Sequence, residues 1–472
     1  MEAGLTAIKT PSKSLGPTNR AYVYLMSLVA AVGGFLFGYD LSIISGAVLF
    51  LSKEFSLTPF QLGLAVGSAS LGCMLGPLLA GWISDRVGRK KTLILADLLF
   101  GICAVGTAGS SHIGQFVLYR VAGGIGVGMA SVVSPMYIAE IAPARIRGRL
   151  VSLNQLAIVI GSISSIVVSY FLSFSGNWRA MFASMLVPIL ALLLGLFFIP
   201  ESPRWLVQAG REREAVDILT RVDGAAHASA ELQEINGALR AETASLGELF
   251  RPGIRIALLI AVTLGIFQQW TGVSPITFYA PIIFQKAGFQ LASAALFQTI
   301  VFNLANFVCT VIALLIVDRV GRRPLFLLGA AGMALGQLLL GTFFHLNLMG
   351  IYVVLAMFLC IGTYALSLAP MTWLITSEIF PLRLRAKGQS AGALSLWIAT
   401  YTSTQAMAPL MAYSERRFGS VGGMFWMFSG LCVLALLFGW RFVPETKGRS
   451  LEEIGKSWQT PILPAHLTKP SD

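Results

Sequence analysis

Charge is what this chain has little of. Asp, Glu, Lys and Arg make up 12% of its 472 residues, against roughly 25% in a soluble globule. That shortfall excludes a surface solvated mainly by water. Histidine is rarer still, with four copies, and none lies deep in an apolar run with a motif around it, so a histidine relay has no candidate. The five cysteines, Cys73, Cys103, Cys309, Cys360 and Cys432, all fall in apolar runs, and no two have zinc-finger spacing. They read as small buried side chains, not as disulfides or metal ligands. The glycine run "GGIGVG", Gly123 to Gly128, imitates a nucleotide-binding loop but lacks the preceding strand and the downstream acid. Inside a membrane span such a run lets helices approach closely. No catalytic constellation stands out, so the chain is expected to be no enzyme and to need no cofactor and no metal.

What is there is apolar length. Hydrophobic residues reach 56% and the mean hydropathy is +0.75. Uncharged runs such as Ala21 to Ser52, Phe60 to Ser84, Val151 to Asn177 and Ala180 to Pro200 recur along the chain. A helix needs about 20 apolar residues to cross a bilayer. About twelve such runs are present, which predicts an all-α polytopic membrane protein with twelve transmembrane helices. The first run is too long for a cleavable signal peptide and has no small-residue cleavage site. The net charge of +12 does not point to nucleic acid, because of where it sits. The predicted spans put 28 of the 34 Lys and Arg on one side, leaving Lys53, Arg179, Lys286, Arg416 and Arg417 opposite and Arg120 inside a span. By the positive-inside rule both termini are expected in the cytoplasm, with the chain spanning the cell membrane many times.

The chain divides into two halves that repeat each other. "DRVGRKK" at Asp85 returns as "DRVGRRP" at Asp318; "AEIAPARIRGR" around Glu140 returns as "SEIFPLRLRAK" around Glu378; "PESPR" at Glu201 returns as "PETKGR" at Glu445. Three charged motifs in the same order at nearly the same offset imply two six-helix bundles, with a binding site between them near the midplane. The expected boundaries are a tail at 1–20, a bundle at 21–199, a cytoplasmic connector at 200–254, a second bundle at 255–443 and a tail at 444–472. Within the connector, "REREAVDILTRV" and "SAELQEINGALRAE" have helical apolar spacing with charged faces and predict short helices.

These motifs resemble those of the major facilitator superfamily and, more narrowly, its sugar porter family of bacterial sugar:proton symporters and facilitative glucose transporters. "GWISDRVGRKK" carries the wider resemblance; "PMYIAEIAPARIRG", "PESPRWL", "FQQWTG", "SEIFPLRLRAKG" and "PETKGRSLEEI" carry the narrower one. The resemblance implies a cytoplasmic charge network that holds the outward-facing state: Asp85, Arg86, Arg89, Glu140, Arg147, Glu201 and Arg204 in the first half, and Asp318, Arg319, Arg322, Glu378, Arg385 and Glu445 in the second. Positive-inside charge alone explains the basic residues but not the repeated carboxylates.

In "GIFQQWTGVSPITFYAP", Gly272 and Pro275 weaken the helix and free backbone groups that must face a cavity or protein. By resemblance Gln268 and Gln269 match the family's sugar-binding pair, and Asn303 its next-helix asparagine. Trp373 and Trp397 match aromatic positions on the tenth and eleventh helices, Phe37 lines the first, and Tyr279 lies near the outer gate. The chain departs from the family pattern at Ser162, Ser274, Leu368 and Leu396, where amides or an aromatic are usual. Lost hydrogen-bonding groups change which hydroxyls are read. The expected partner is therefore a small sugar or polyol of open identity, together with a proton and the lipid bilayer, the protein acting as a monomer.

Inside "GGFLFGYDLSIISG" stands Asp40. A charge at mid-membrane costs about 2.5–3.5 kcal/mol on insertion scales, and "LYRVAGG" supplies a partner in Arg120. By resemblance this pair marks the proton-coupled members. Burial and a neighbouring cation act on a carboxylate in opposite directions, so it can change protonation as its surroundings move. One proton crossing 100 mV supplies about 2.3 kcal/mol. A permanent structural ion pair is the plainer alternative. Asp97 is expected to reach the cytoplasmic interface from two turns inside and is given no role. The leading expectation is a proton-coupled importer working by alternating access. A facilitative uniporter comes second. A sugar sensor is disfavoured by the short tail, and a drug:proton antiporter by the motifs.

Overall fold

The computed structural model describes residues 19–143, 145–240, 246–251, 254–381 and 384–445. Most of both expected tails, Arg383 and the Asp318 side chain lie outside the described residues. The first bundle comprises α1 (Arg20–Glu54), α2 (Pro59–Val87), α3 (Arg89–Ala108), α4 (Ile113–Ile141), α5 (Arg147–Ser173) and a sixth span made of α6 (Trp178–Ala183) and α7 (Leu186–Phe198). The connector forms α8 (Pro203–Gln208), α9 (Glu212–Asp223), α10 (Ala225–Arg240) and a 3₁₀ turn at Leu246–Phe250. In the second bundle the seventh span is broken into α11 (Ile254–Trp270), α12 (Val273–Phe278) and α13 (Ala280–Lys286). Then come α14 (Ala292–Val320), α15 (Arg322–His345), α16 (Ile351–Thr363), α17 (Ala369–Glu378), α18 (Arg385–Phe418) and α19 (Gly422–Phe442). A π-helical turn at Tyr364–Leu368 joins α16 to α17 within the tenth span.

Eleven helices among the described residues are long and apolar enough to cross a membrane. The twelfth crossing, α18, is more polar because it buries Ser395, Thr400, Ser403 and Thr404 against protein, and the first three hydroxyls bond the preceding turn. The lipid-facing positions are the reverse: Phe198, Val187, Leu315 and Phe197 are all largely exposed. Such a surface aggregates in water and is solvated in a bilayer.

The repeat seen in the motifs reappears in the packing. In the first bundle α1 packs on α5, α2 on α4, and α3 on α6 and α7; in the second, α11 packs on α18, α14 on α16, and α15 on α19. The bundles meet where α2 lies on α18 and α5 on α14. The "GGIGVG" run is a packing device, as expected: a Cβ at Gly124 would strike the backbone of Ala69, and one at Gly126 the backbone of Ala96. The connector helices form as predicted. Ala215, Ile218, Leu219 and Val222 of α9 are buried. The connector docks on the first bundle through Arg145–Asp223 (2.8 Å) and Arg147–Glu231 (3.1 Å).

On the side that carries the basic loops, the repeated acids do two jobs. Glu140 pairs with Arg89 through two bonds of 3.0 and 3.1 Å, and Glu378 with Arg322 at 3.3 Å. Glu201 instead accepts the backbone N–H groups of Arg89 (2.8 Å) and Lys90 (3.0 Å). Glu445 does the same for Arg322 (3.1 Å) and Arg323 (3.2 Å). Each carboxylate thus caps the N-terminus of a helix it does not belong to, where backbone N–H groups lack partners and the dipole favours an anion. The residue before each capped helix, Gly88 or Gly321, has φ near +100°, and a Cβ there would press on the capping carboxylate. Replacing Glu201 by Ala orphans two backbone donors, so Glu201→Ala is expected to lower unfolding stability by about 1–3 kcal/mol. Thermal unfolding of the purified protein in detergent measures this; an unchanged midpoint contradicts the capping role.

Candidate substrate and proton sites

Asp40 and Arg120 meet inside the first bundle, α1 against α4. Arg120 Nη1 lies 2.7 Å from Asp40 Oδ1, and both side chains are 0% exposed. The pair holds by one contact, not the two-point geometry open to a guanidinium and a carboxylate. Among the described residues, Asp40 Oδ2 and Arg120 Nε and Nη2 have no hydrogen-bond partner. The Phe182 ring of α6 stands 5.6 Å from the guanidinium carbon. Cys103 of α3 donates to Asp40 Oδ1 over 3.6 Å. Cys103 is free and fully buried, as expected, and the contact with Asp40 is additional to that expectation.

Around Asp40, α1 touches most of its neighbours. Tyr39 OH bonds Ser184 Oγ at 2.7 Å. The Ser42 and Ser162 hydroxyls share a 2.5 Å bond to α5. Ser45 Oγ donates to the Thr277 carbonyl of α12 at 3.3 Å. Phe37 meets Trp397 of α18 edge to face, ring centroids 6.2 Å apart.

The second bundle holds the amides. The seventh span stops at Gly272, whose φ of +91° is left-handed, and the carbonyl of Thr271 freed there accepts from Gln337 Nε2 at 3.0 Å. Just before the break, Gln268 and Gln269 are buried. Gln268 Nε2 donates to the Ala369 carbonyl at 3.2 Å, which leaves Gln268 Oε1 buried without a partner among the described residues. Gln269 Oε1 accepts the Ser274 hydroxyl. Tyr364, on the π-helical turn, reaches Gln268. Tyr279 is fully buried and donates to the Thr404 carbonyl at 3.4 Å. Trp373 is 46% exposed. Asn303 turns its amide back onto its own helix, donating to the Thr299 carbonyl at 2.9 Å.

The whole chain has relatives of known kind. The family model described as "Sugar (and other) transporter" matches residues 26–458. The D-xylose-proton symporter of Escherichia coli (strain K12) is 39% identical over 477 residues, covering 93% of this chain and 96% of the relative. The chain belongs to the sugar porter family of the major facilitator superfamily. A second sugar porter, the arabinose-proton symporter of Bacillus subtilis (strain 168), is 40% identical, covering 95% of this chain and 97% of the relative. Among solved structures, the inward open conformation of the xylose transporter XylE from E. coli aligns with TM-score 0.82 at 37% identity, covering 93% of this chain and 100% of that one. Its partially occluded inward open conformation aligns with TM-score 0.80 at 38% identity, over 91% of this chain and 100% of that one.

Within this sugar porter several expected site residues are brought together and others are not. Gln269 with Ser274, Phe37 with Trp397, and Asp40 with Arg120 are in contact. Arg89 gathers Glu140 and Asp85, the latter at 3.3 Å. Arg86 stands apart, its guanidinium 3.9 Å over the Trp82 ring, and Arg204 is exposed. Arg147 turns to the connector, and Arg385 keeps Nε and Nη2 without partners. Asp97 corrects an expectation: it is 1% exposed with neither carboxylate oxygen bonded, because α3 turns it into the bundle and not toward the basic face. Gln337 was overlooked, although an amide in the apolar run "MALGQLLLG" is a signal for an interhelical bond. Tyr364 was overlooked because nothing local announces a π-helical turn.

Removing one partner of a buried pair leaves the other uncompensated. Asp40→Ala is expected to cost about 3–5 kcal/mol of stability, and adding Arg120→Met is expected to recover much of it. Unfolding of the two variants side by side tests this; equal stabilities would show that the charges are not energetically linked.

Proposed function

We propose that the chain is a proton-coupled symporter that imports a sugar or polyol by alternating access, with Asp40 as the proton site. The observation that carries this is the fully buried, singly bonded Asp40–Arg120 pair. The relatives' names, D-xylose-, arabinose- and galactose-proton symporters, support a sugar as cargo and a proton as its partner. With Asp40 ionised, its charge is satisfied only by holding α1 against α4. A proton taken on the free Oδ2 removes the anion and most of the attraction to Arg120. Then α1 is released where it also carries Phe37, Ser42 and Ser45, the side chains that touch α18, α5 and α12.

Sugar hydroxyls would be read by Gln268 Oε1, Gln269, Ser274, Asn303 and Ser162, with Trp373, Trp397 and Phe37 offering aromatic faces. The contacts across the bundle interface at Ser45–Thr277, Gln405–Phe60 and Tyr170–Phe297 lie away from the basic loops. Together with the buried Tyr279 they support a state closed outside and open to the cytoplasm. We place both termini in the cytoplasm, read bundles at 21–199 and 255–443 around a connector at 200–254, and take the monomer as the working unit. The charged pairs of the basic face are formed in this state and lie within one bundle or between it and the connector, so the reading that they favour the outward-facing state rests on the family pattern alone.

Proteoliposome uptake across a sugar and polyol panel, with and without an imposed pH gradient, tests the reading. Asp40→Asn keeps an acceptor for Arg120 but cannot carry the proton, so it is expected to lose uphill accumulation and retain exchange. A uniporter would accumulate nothing in either form and transport equally in both. Wild-type uptake is expected to fall as external pH rises through the range where Asp40 loses its proton. Gln268→Ala is expected to weaken sugar binding about tenfold or more, read as a raised KM. Glu140→Gln and Arg322→Ala are expected to shift accessibility inward; unchanged labelling from the cytoplasmic side in both would count against the charge network.

A further inference from the structure

Asp40 is bonded unevenly. Oδ1 receives two donors, Arg120 Nη1 and the Cys103 thiol, while Oδ2 receives none. Cys103 also stands 4.0 Å from Arg120 Nη1, so its sulfur touches both members of the pair. The thiol has little freedom to be elsewhere. It is 0% exposed, and a Cβ at Gly123 of α4 would overlap its sulfur. Two titratable side chains thus contact Asp40, Arg120 from α4 and Cys103 from α3, and Cys73 of α2 is buried in the same bundle. On α3, the helix of Cys103, Asp97 is also buried; the charged side chains Arg147 and Arg149 on α5, Arg179 on α6 and Lys286 on α13 sit at the ends of their helices, while the nearby groups of α5 and α6 are the hydroxyls of Ser162 and Ser184.

We propose that Cys103 is a third member of the proton site, a positioning residue that holds Oδ1 as the bonded oxygen, leaves Oδ2 open for the proton, and sets the pH range in which Asp40 exchanges it. The inference rests on Asp40 being that proton site. A thiol is a weak donor and a small, weakly polar group. It steadies the ionised carboxylate less than a hydroxyl would and more than a methyl. A hydrogen bond to the charged form favours that form, so strengthening it demands a lower pH for protonation and removing it allows a higher one.

The test is the pH profile of gradient-driven uptake of the best-transported sugar, in proteoliposomes carrying the full-length chain, for wild type, Cys103→Ser, Cys103→Ala and Asp40→Asn. The midpoint of the alkaline limb is expected to move to lower pH in Cys103→Ser and to higher pH in Cys103→Ala, each by about half to one pH unit. That midpoint does not depend on how much protein each preparation carries. If Asp40→Asn abolishes accumulation while both Cys103 variants keep the wild-type midpoint, or both move it the same way, the role of Cys103 is overturned and that of Asp40 stands. If Asp40→Asn still accumulates sugar, both fall together.

Discussion

A carboxylate in a low-dielectric interior can stay ionised only while a cation stays beside it, and that constraint organises the first bundle. Asp40 has one cation, reached by one oxygen. Taking both charges out of water costs several kcal/mol per ion even after relaxation, and only contact repays it. Anything that separates α1 from α4 must therefore first neutralise Asp40. The helix held this way is the one that touches the second bundle at Trp397 and Thr277. In the proposed mechanism one proton on one oxygen would thereby be tied to the arrangement of two bundles, which is what linkage between sites requires.

The basic face follows a different logic. There the repeated acids are partly exposed and partnered many times over, and the two copies agree in detail. Glu201 and Glu445 each cap a foreign helix across a glycine with φ near +100°. Glu140 and Glu378 each hold the first arginine of the helix so capped. Bonds from a carboxylate to backbone donors are charge-assisted and stronger than neutral ones. Each half thus fastens the ends of its third, fourth and sixth spans into one unit, and in the first half Asp85 adds the second span.

Much of this was legible in the residues, for physical reasons. Lipid imposes long apolar runs, so the crossings show in composition, and the repeated motifs show because charge is rare enough to stand out. The same argument found Asp40 and its partner. It reached α18 as a span even though protein-facing hydroxyls lower its hydropathy, and it failed for Asp97, since position along a helix says nothing about which way the side chain turns. Ser162 and Ser274 were legible as departures, but not that Ser162 would close onto Ser42 and Ser274 onto Gln269. Cys103 was invisible as a polar group because a thiol in an apolar run looks like any small side chain. The π-helical turn under Tyr364 depends on the packing of the tenth span and has no local signature.

The two halves share an architecture but not a chemistry. Every group around the buried ion pair, Asp40, Cys73, Cys103, Arg120 and Phe182, comes from the first bundle, whereas the amide pair and its broken helix belong to the second. In the proposed transporter the proton would be handled by first-bundle side chains alone, while the sugar would be held mainly by the second bundle, with Phe37 and Ser162 reaching it from the first. Such a layout would let the sugar-reading side chains change without touching the ion pair, because no residue belongs to both sets.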